Sequence, residues 1–152
     1  MRVLGVDWGE RRIGLAVSDP DGRVAVGAGR VVVASPRDAI VAIANAAAAR
    51  EVEMIVLGFP ISLGGERGAR AEKTERFAED LRTRVGVPVV LWDERLTSAA
   101  AMRAVWETGG SARSARKRVD EMAATILLQS WLDARRGDSG TETGPHVGPI
   151  SQ

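Results

Sequence analysis

Four acidic residues stand where apolar runs stop or a helix begins: Asp7, Asp93, Glu94 and Asp120. Asp7 closes the β-branched run from Val3 and is followed at once by Gly9, so a strand delivers it to the rim of a sheet beside a tight turn. A carboxylate half-buried in such a place needs a cation or donors in front of it. Asp93-Glu94 closes the run Val87–Trp92 in the same way. Successive strand residues point to opposite faces, so only one of the two can face Asp7 while the strand lasts. Asp120 falls in the first turn of the expected last helix, on the edge of its apolar stripe near Ala124 and Leu127, where a carboxylate can face a cleft. Each acid also has a plainer reading. Asp7 can be a turn residue, Asp93-Glu94 a surface turn paired with Arg95, and Asp120 a partner for the helix dipole. Recurrence in three comparable settings favours a shared site.

The rest of the composition narrows the chemistry. There is no cysteine, which excludes disulfides, thiolate metal sites and cysteine nucleophiles. The single histidine, His146, lies in a Gly/Pro/Thr-rich tail and argues against a histidine triad or a zinc centre. Oxygen-only donors suit a hard cation, Mg²⁺ or Mn²⁺. Two such ions about 3.5–4 Å apart clamp a phosphodiester, activating water on one side and stabilising the leaving oxygen on the other. No side-chain base is then required, which fits a chain nearly empty of histidine.

Net charge is only +1, yet Lys73 and Lys117 apart every basic residue is Arg, whose planar fork grips phosphate. The densest cluster is Ser111–Arg118, with no acid before Asp120. Arg113, Arg116, Lys117 and Arg118, together with Arg12, Arg67, Arg70 and Arg95, are the expected contacts to nucleic-acid phosphates. The opposing reading of the cluster is a solvated loop in an Arg-rich protein.

These residues need a scaffold. A chain of 152 residues suits one core, without room for two large lobes. Runs at Val3–Asp7, Ile13–Ser18 and Val24–Val33 read as strands joined by short turns, hence antiparallel. Ser35-Pro36-Arg37-Asp38 opens a helix through Ala49, with Ser35 as its cap. Met54–Leu57 is a strand, Thr74 to Val85 a helix, Val87–Trp92 a strand. A helix carrying Met102 and Trp106 follows, then a last one from Val119 to Arg136. The order βββαβαβαα points to an α/β fold with a mixed sheet and helices on both faces. Domain boundaries are expected at 1–136, with 137–152 a disordered tail. Ser62–Arg70 and Ser111–Arg118 are expected to be mobile and to line an entry groove. Trp8 either packs or stacks on a base, with packing favoured. No segment is long enough to span a membrane and no signal-peptide core opens the chain, so the cytoplasm is the expected location. Charged helix faces such as Arg67–Arg84 favour a monomer over a homodimer.

Several motifs occur together: Asp7-x-Gly9-x-x-Arg12-Ile13-Gly14, Gly58-x-Pro60 with Gly64-Gly65, Asp93-Glu94-Arg95-Leu96-Thr97, and Lys117-x-x-Asp120-x-x-Ala123-Ala124. In this order and spacing, over about residues 1–136, the chain resembles the YqgF/RuvX family, RNase H-like proteins described as Holliday junction resolvases and assigned to maturation of the 5′ end of 16S ribosomal RNA. The resemblance implies a five-stranded sheet of order 3-2-1-4-5 and divalent-metal nuclease chemistry. It implies catalytic and metal-binding roles for Asp7, the Asp93-Glu94 pair and Asp120. Many RNase H-like nucleases end the fourth strand in an acid, whereas here that strand ends in Gly58-Phe59-Pro60, so the second carboxylate comes from the fifth strand. Glu94 is preferred over Asp93 because it reaches farther.

Other classes fit less well. An Asp-x-Gly turn also resembles the phosphate loop of actin- and hexokinase-like ATPases, which need a second lobe. Gly27-Ala28-Gly29 has no helix opening after it, as a dinucleotide site would require, and there is no P-loop motif. A non-catalytic nucleic-acid-binding module stays open, as does the choice among RNA precursor, junction and single-stranded DNA, since phosphate contacts carry no sequence information.

Overall fold

The computed structural model describes residues 1–9, 11–59, 67–93 and 113–140. Three antiparallel strands open the chain: β1 (Val3–Trp8), β2 (Arg12–Ser18) and β3 (Ala25–Val32). Helix α1 (Pro36–Ala49) leads to β4 (Met54–Phe59), parallel to β1, and α2 (Arg67–Arg84) leads to β5 (Val89–Asp93), parallel to β4. Helix α3 (Arg113–Gly140) closes the described chain. The sheet has five strands in the order β3-β2-β1-β4-β5, as the family resemblance implies.

Local chemistry accounts for most boundaries. Asp19 turns β2 into β3, its Oδ1 accepting from the backbone N–H of Arg23 at 2.7 Å and of Val24 at 3.1 Å. Ser35 caps α1, its Oγ accepting from the Asp38 N–H at 3.2 Å, with proline in the first turn.

The two faces of the sheet have separate cores. Leu4, Val6, Ile13, Leu15, Ile55, Leu57, Val89 and Leu91 point to one side, where Ala39 and Ile43 of α1 and Phe77 and Leu81 of α2 cover them. Val3, Ala16, Val56 and Trp92 point to the other, against Ala124, Leu127, Leu128 and Trp131 of α3. Trp8 belongs to the first face and stacks on Phe77, ring centroids 4.2 Å apart and 15° from parallel. This contact is the packing expected of it.

Helix α3 lies almost on the sheet backbone because the strands carry glycine beneath it. A methyl group at Gly14 would collide with the carbonyl oxygen of Asp120, and one at Gly5 or Gly58 would strike Leu128 or Leu127. The helix also serves the open edge of the sheet. Glu121 Oε2 accepts from the Gly29 N–H and Gln129 Oε1 from the Ala25 N–H, both at 2.9 Å, so two backbone donors of edge strand β3 are satisfied from α3.

Several elements differ from expectation. Helix α3 begins at Arg113, not Val119, so the basic stretch 113–118 is helical and not a loop. Arg and Lys are good helix formers, and a run polar on every side gives no periodic signal. The same helix runs on to Gly140, four residues into the expected tail, and helix ends are poorly marked in sequence. Helix α2 begins at Arg67, ahead of the expected start at Thr74, so residues 67–70 of the segment Ser62–Arg70 are helical. The rest of that segment, the expected helix around Met102 and Trp106, and the tail beyond 140 lie outside the described residues.

Candidate active site

Asp7 sits near the end of the central strand, 6% exposed. It pairs with Gly14 on β2 and Gly58 on β4, and both glycines face α3, so the pleat puts Asp7 on the α3 face as well. The room left by the two missing side chains is taken by α3, the Asp120 carbonyl lying over Gly14 and Leu127 over Gly58.

Asp120 meets the same face from the helix. It stands about two turns into α3 and is 2% exposed, so the helix-dipole reading, confined to a first turn, does not apply. Its carboxylate lies between two arginines of the sheet. Arg12 Nε is 3.1 Å from Oδ2 and Arg30 Nη1 is 3.6 Å from the same oxygen. These are charge contacts at Oδ2, not aligned hydrogen bonds, although the Arg12 distance alone would suit one. Arg12, expected to face phosphate, is thus engaged with an expected catalytic acid.

Arg30 was not anticipated. It reaches Asp120 because β3 carries a bulge. Leu15 pairs with Gly29 but the next residue, Ala16, pairs with Gly27, which leaves Ala28 extra, and Gly29 adopts φ +99°. Such a bulge shifts the alternation by one residue. Ala25 and Gly27 face α3 before it, and Arg30, paired with Gly14, faces α3 after it. The motif Gly27-Ala28-Gly29 is therefore a device for aiming Arg30, and its glycine pair was the available signal.

The fifth strand divides its residues clearly. Trp92 faces α3, its Nε1 donating to Ser130 Oγ at 3.3 Å, while Leu91 faces the opposite core. Asp93 alternates with Trp92 and shares Leu91's side, 8% exposed. Asp93 is thus on the face opposite Asp7. Glu94 and Arg95 lie outside the described residues, as do the side chains of Arg67, Arg70, Arg113, Arg116 and Lys117, whose backbones are helical. Arg118 is exposed on α3.

Among the described residues no three acidic or histidine side chains gather closely enough to hold a metal ion. Asp7 and Asp120 nevertheless fit a hard cation by donor type, since both are buried carboxylates on one face and no described residue is a cysteine or histidine. No described helix is long and apolar enough to cross a membrane.

Comparison with known proteins agrees with this architecture. The family model described as "RuvX: Holliday junction resolvase" matches residues 1–134. A Myxococcus xanthus protein named "Putative pre-16S rRNA nuclease" is 43% identical over 136 residues, covering 90% of each chain. One of the same name from Syntrophus aciditrophicus is 42% identical over 134 residues, covering 88% of this chain and 89% of its own. Among solved structures, Thermus thermophilus RuvC in complex with a Holliday junction superposes with a TM-score of 0.56 at 19% identity, over 90% of this chain and 96% of that one. The fowlpox virus Holliday junction resolvase gives 0.51 at 13%, over 88% and 99%. At such identities these two structures establish a shared RNase H-like fold. The family match over residues 1–134 and the relatives above 40% identity establish more: this chain belongs to the RuvX family.

Proposed function

We propose that this protein is a divalent-metal-dependent nuclease that trims the 5′ end of precursor 16S ribosomal RNA, with Asp7, Glu94 and Asp120 as its catalytic carboxylates. The observation that carries this reading is the convergence of two buried acids, Asp7 from the central strand and Asp120 from α3, on one face of an RNase H-like sheet. The names of the relatives supply the substrate.

Alternation supports Glu94 as the third acid. Trp92 faces α3 and Asp93 the other side, so if the strand continued by one more residue Glu94 would come to the face of Asp7. Asp7, Glu94 and Asp120 would hold Mg²⁺ or Mn²⁺, and a bound pair of such ions would activate water and stabilise the leaving oxygen. The protein's own part is to fix the carboxylates. Asp7 is set by the β1–β2 and β1–β4 ladders, and Asp120 by the seating of α3 on Gly14 and by Arg12 and Arg30. Arg113, Arg116, Lys117 and Arg118 on the first turns of α3, with Arg67, Arg70 and Arg95, would draw the phosphate backbone towards that face. A monomer suffices for trimming one strand, whereas paired cuts across a junction need two active sites.

Cleavage of a precursor 16S 5′-leader RNA, a four-way DNA junction and linear DNA, compared side by side with and without Mg²⁺ or Mn²⁺, tests the proposal. The RNA is cut with metal present, and the Asp7→Asn chain, folded as judged by circular dichroism, leaves it intact. Preferential paired nicking of the junction by a stable dimer would replace RNA trimming by junction resolution. Binding without cleavage of any substrate would leave a nucleic-acid-binding module.

A further inference from the structure

Gly14 stands at a crossing. Its partners across the sheet are Asp7 on β1 and Arg30 on β3, all three on the α3 face, and the backbone of Asp120 rests directly over it. Neighbouring strands lie about 4.8 Å apart. Asp120 therefore has a carboxylate one strand away on one side and a guanidinium one strand away on the other. We propose that Arg30, assisted by Arg12, is the resident counter-ion of Asp120, and that loading of a divalent cation at Asp7 exchanges this guanidinium contact for the metal. The proposal rests on the reading of Asp7 and Asp120 as metal ligands.

Three features support the exchange. First, Arg30 is aimed by a dedicated backbone device, a bulge with Gly29 at φ +99°, a conformation side chains other than glycine rarely adopt. Second, its side chain is only 11% exposed, and a guanidinium that is taken out of water needs a charged partner, here Asp120. Third, two acids on one face repel each other when no cation is present, and an internal guanidinium relieves that repulsion. The same guanidinium would repel an incoming divalent cation, so the two compete for one carboxylate. Arg12, 32% exposed against 11% for Arg30, has the freer path to solvent and to an approaching phosphate. The acid cluster would thus bind metal weakly until substrate phosphate draws the arginines away.

Mn²⁺ titration of the full chain without nucleic acid, read from the paramagnetic resonance signal of free Mn²⁺, tests this. Arg30→Gln should bind Mn²⁺ about tenfold more tightly than wild type, the effect of removing one charge-assisted contact that competes for the carboxylate. Arg30→Lys, which keeps the charge, should stay within about threefold of wild type on the same reasoning. In the wild-type chain, which avoids any folding defect of the variants, the Nε–H resonances of Arg12 and Arg30 should shift towards solvent-exchanging values with the midpoint of Mg²⁺ binding. Equal or weaker Mn²⁺ binding by Arg30→Gln, or resonances unmoved at Mg²⁺ saturation, would overturn the exchange and leave Arg30 a fixed support. If wild type binds Mn²⁺ and Asp7→Asn does not, such a failure belongs to the exchange alone. If wild type, Arg30→Gln and Asp7→Asn all fail to bind, with and without nucleic acid, the metal-nuclease reading falls with it.

Discussion

Replacing Asp120 by Asn distinguishes an acid held by arginines from an acid waiting in a repulsive cluster. The substitution keeps shape and removes one negative charge from between two guanidiniums. Breaking a buried ion pair by neutralising one partner costs about 3–5 kcal/mol. The side-chain exposures of 3% for Asp120 and 11% for Arg30 place that contact in the buried regime, but its 3.6 Å separation is loose. Arg12 makes the shorter contact, 3.1 Å, yet is one-third open to water and rehydrates when released. Asn also retains one acceptor oxygen. Together these reduce the expected loss to about 2 kcal/mol, or about 4–8 °C in Tm for a chain of this size. Thermal and urea unfolding in EDTA measure it. Much of the gap should survive high salt, because the Arg30 contact is shielded from solvent. A variant as stable as wild type, or more stable, would refute the reasoning. That outcome is expected of an acid whose main influence is repulsion of its neighbours.

Three further outcomes follow from the same structure. Trp8→Ala should lose about 2–3 kcal/mol of stability, below the full value for a core aromatic because Trp8 is only partly buried, and should leave nucleic-acid affinity unchanged; a loss of affinity without loss of stability would assign the ring to a base. Replacing Arg113, Arg116 and Arg118 by Ala should weaken nucleic-acid binding and flatten the salt dependence by up to about 2–3 in log–log slope, and an unchanged slope would return this stretch to a solvated helix face. Backbone N–H donors of Val24 and Arg23 hold the Asp19 carboxyl below its ordinary 3.8. A lowered pKa contributes stability above the unfolded value that disappears as pH falls through the folded one. The Tm difference between wild type and Asp19→Ala should therefore be present at neutral pH and shrink as pH falls below the ordinary 3.8 through the lowered folded value, as urea or thermal melts across pH will report.

The strands were legible because β-branched runs ended in recognisable turns, and α1 because Ser35, Pro36 and Asp38 mark its start in the local sequence. Asp7 was legible for the same reason, as a charge at the end of an apolar run. Two features were not. The bulge at Gly29 reverses which side of β3 faces the helix, and strict alternation would have sent Arg30 to the other side with Val26. The start of α3 was hidden because Arg113–Arg118 has no apolar face, and misplacing it made Asp120 look like a first-turn residue. The pairing of Asp120 with Arg12 and Arg30 joins positions about a hundred residues apart, and only the seating of a helix on Gly14 creates it. Gly58 reads as a strand-end signal and Gly14 as one residue of a strand, yet their missing side chains mainly admit α3 to the sheet.

The most direct measurement of the central claim is 5′-end mapping of 16S ribosomal RNA in cells depleted of this protein and resupplied with wild-type or Asp7→Asn chain. Precursors with unprocessed 5′ ends should accumulate on depletion, disappear with wild type and persist with Asp7→Asn expressed at the same level. Normal 5′ ends throughout depletion, or full rescue by Asp7→Asn, would contradict it.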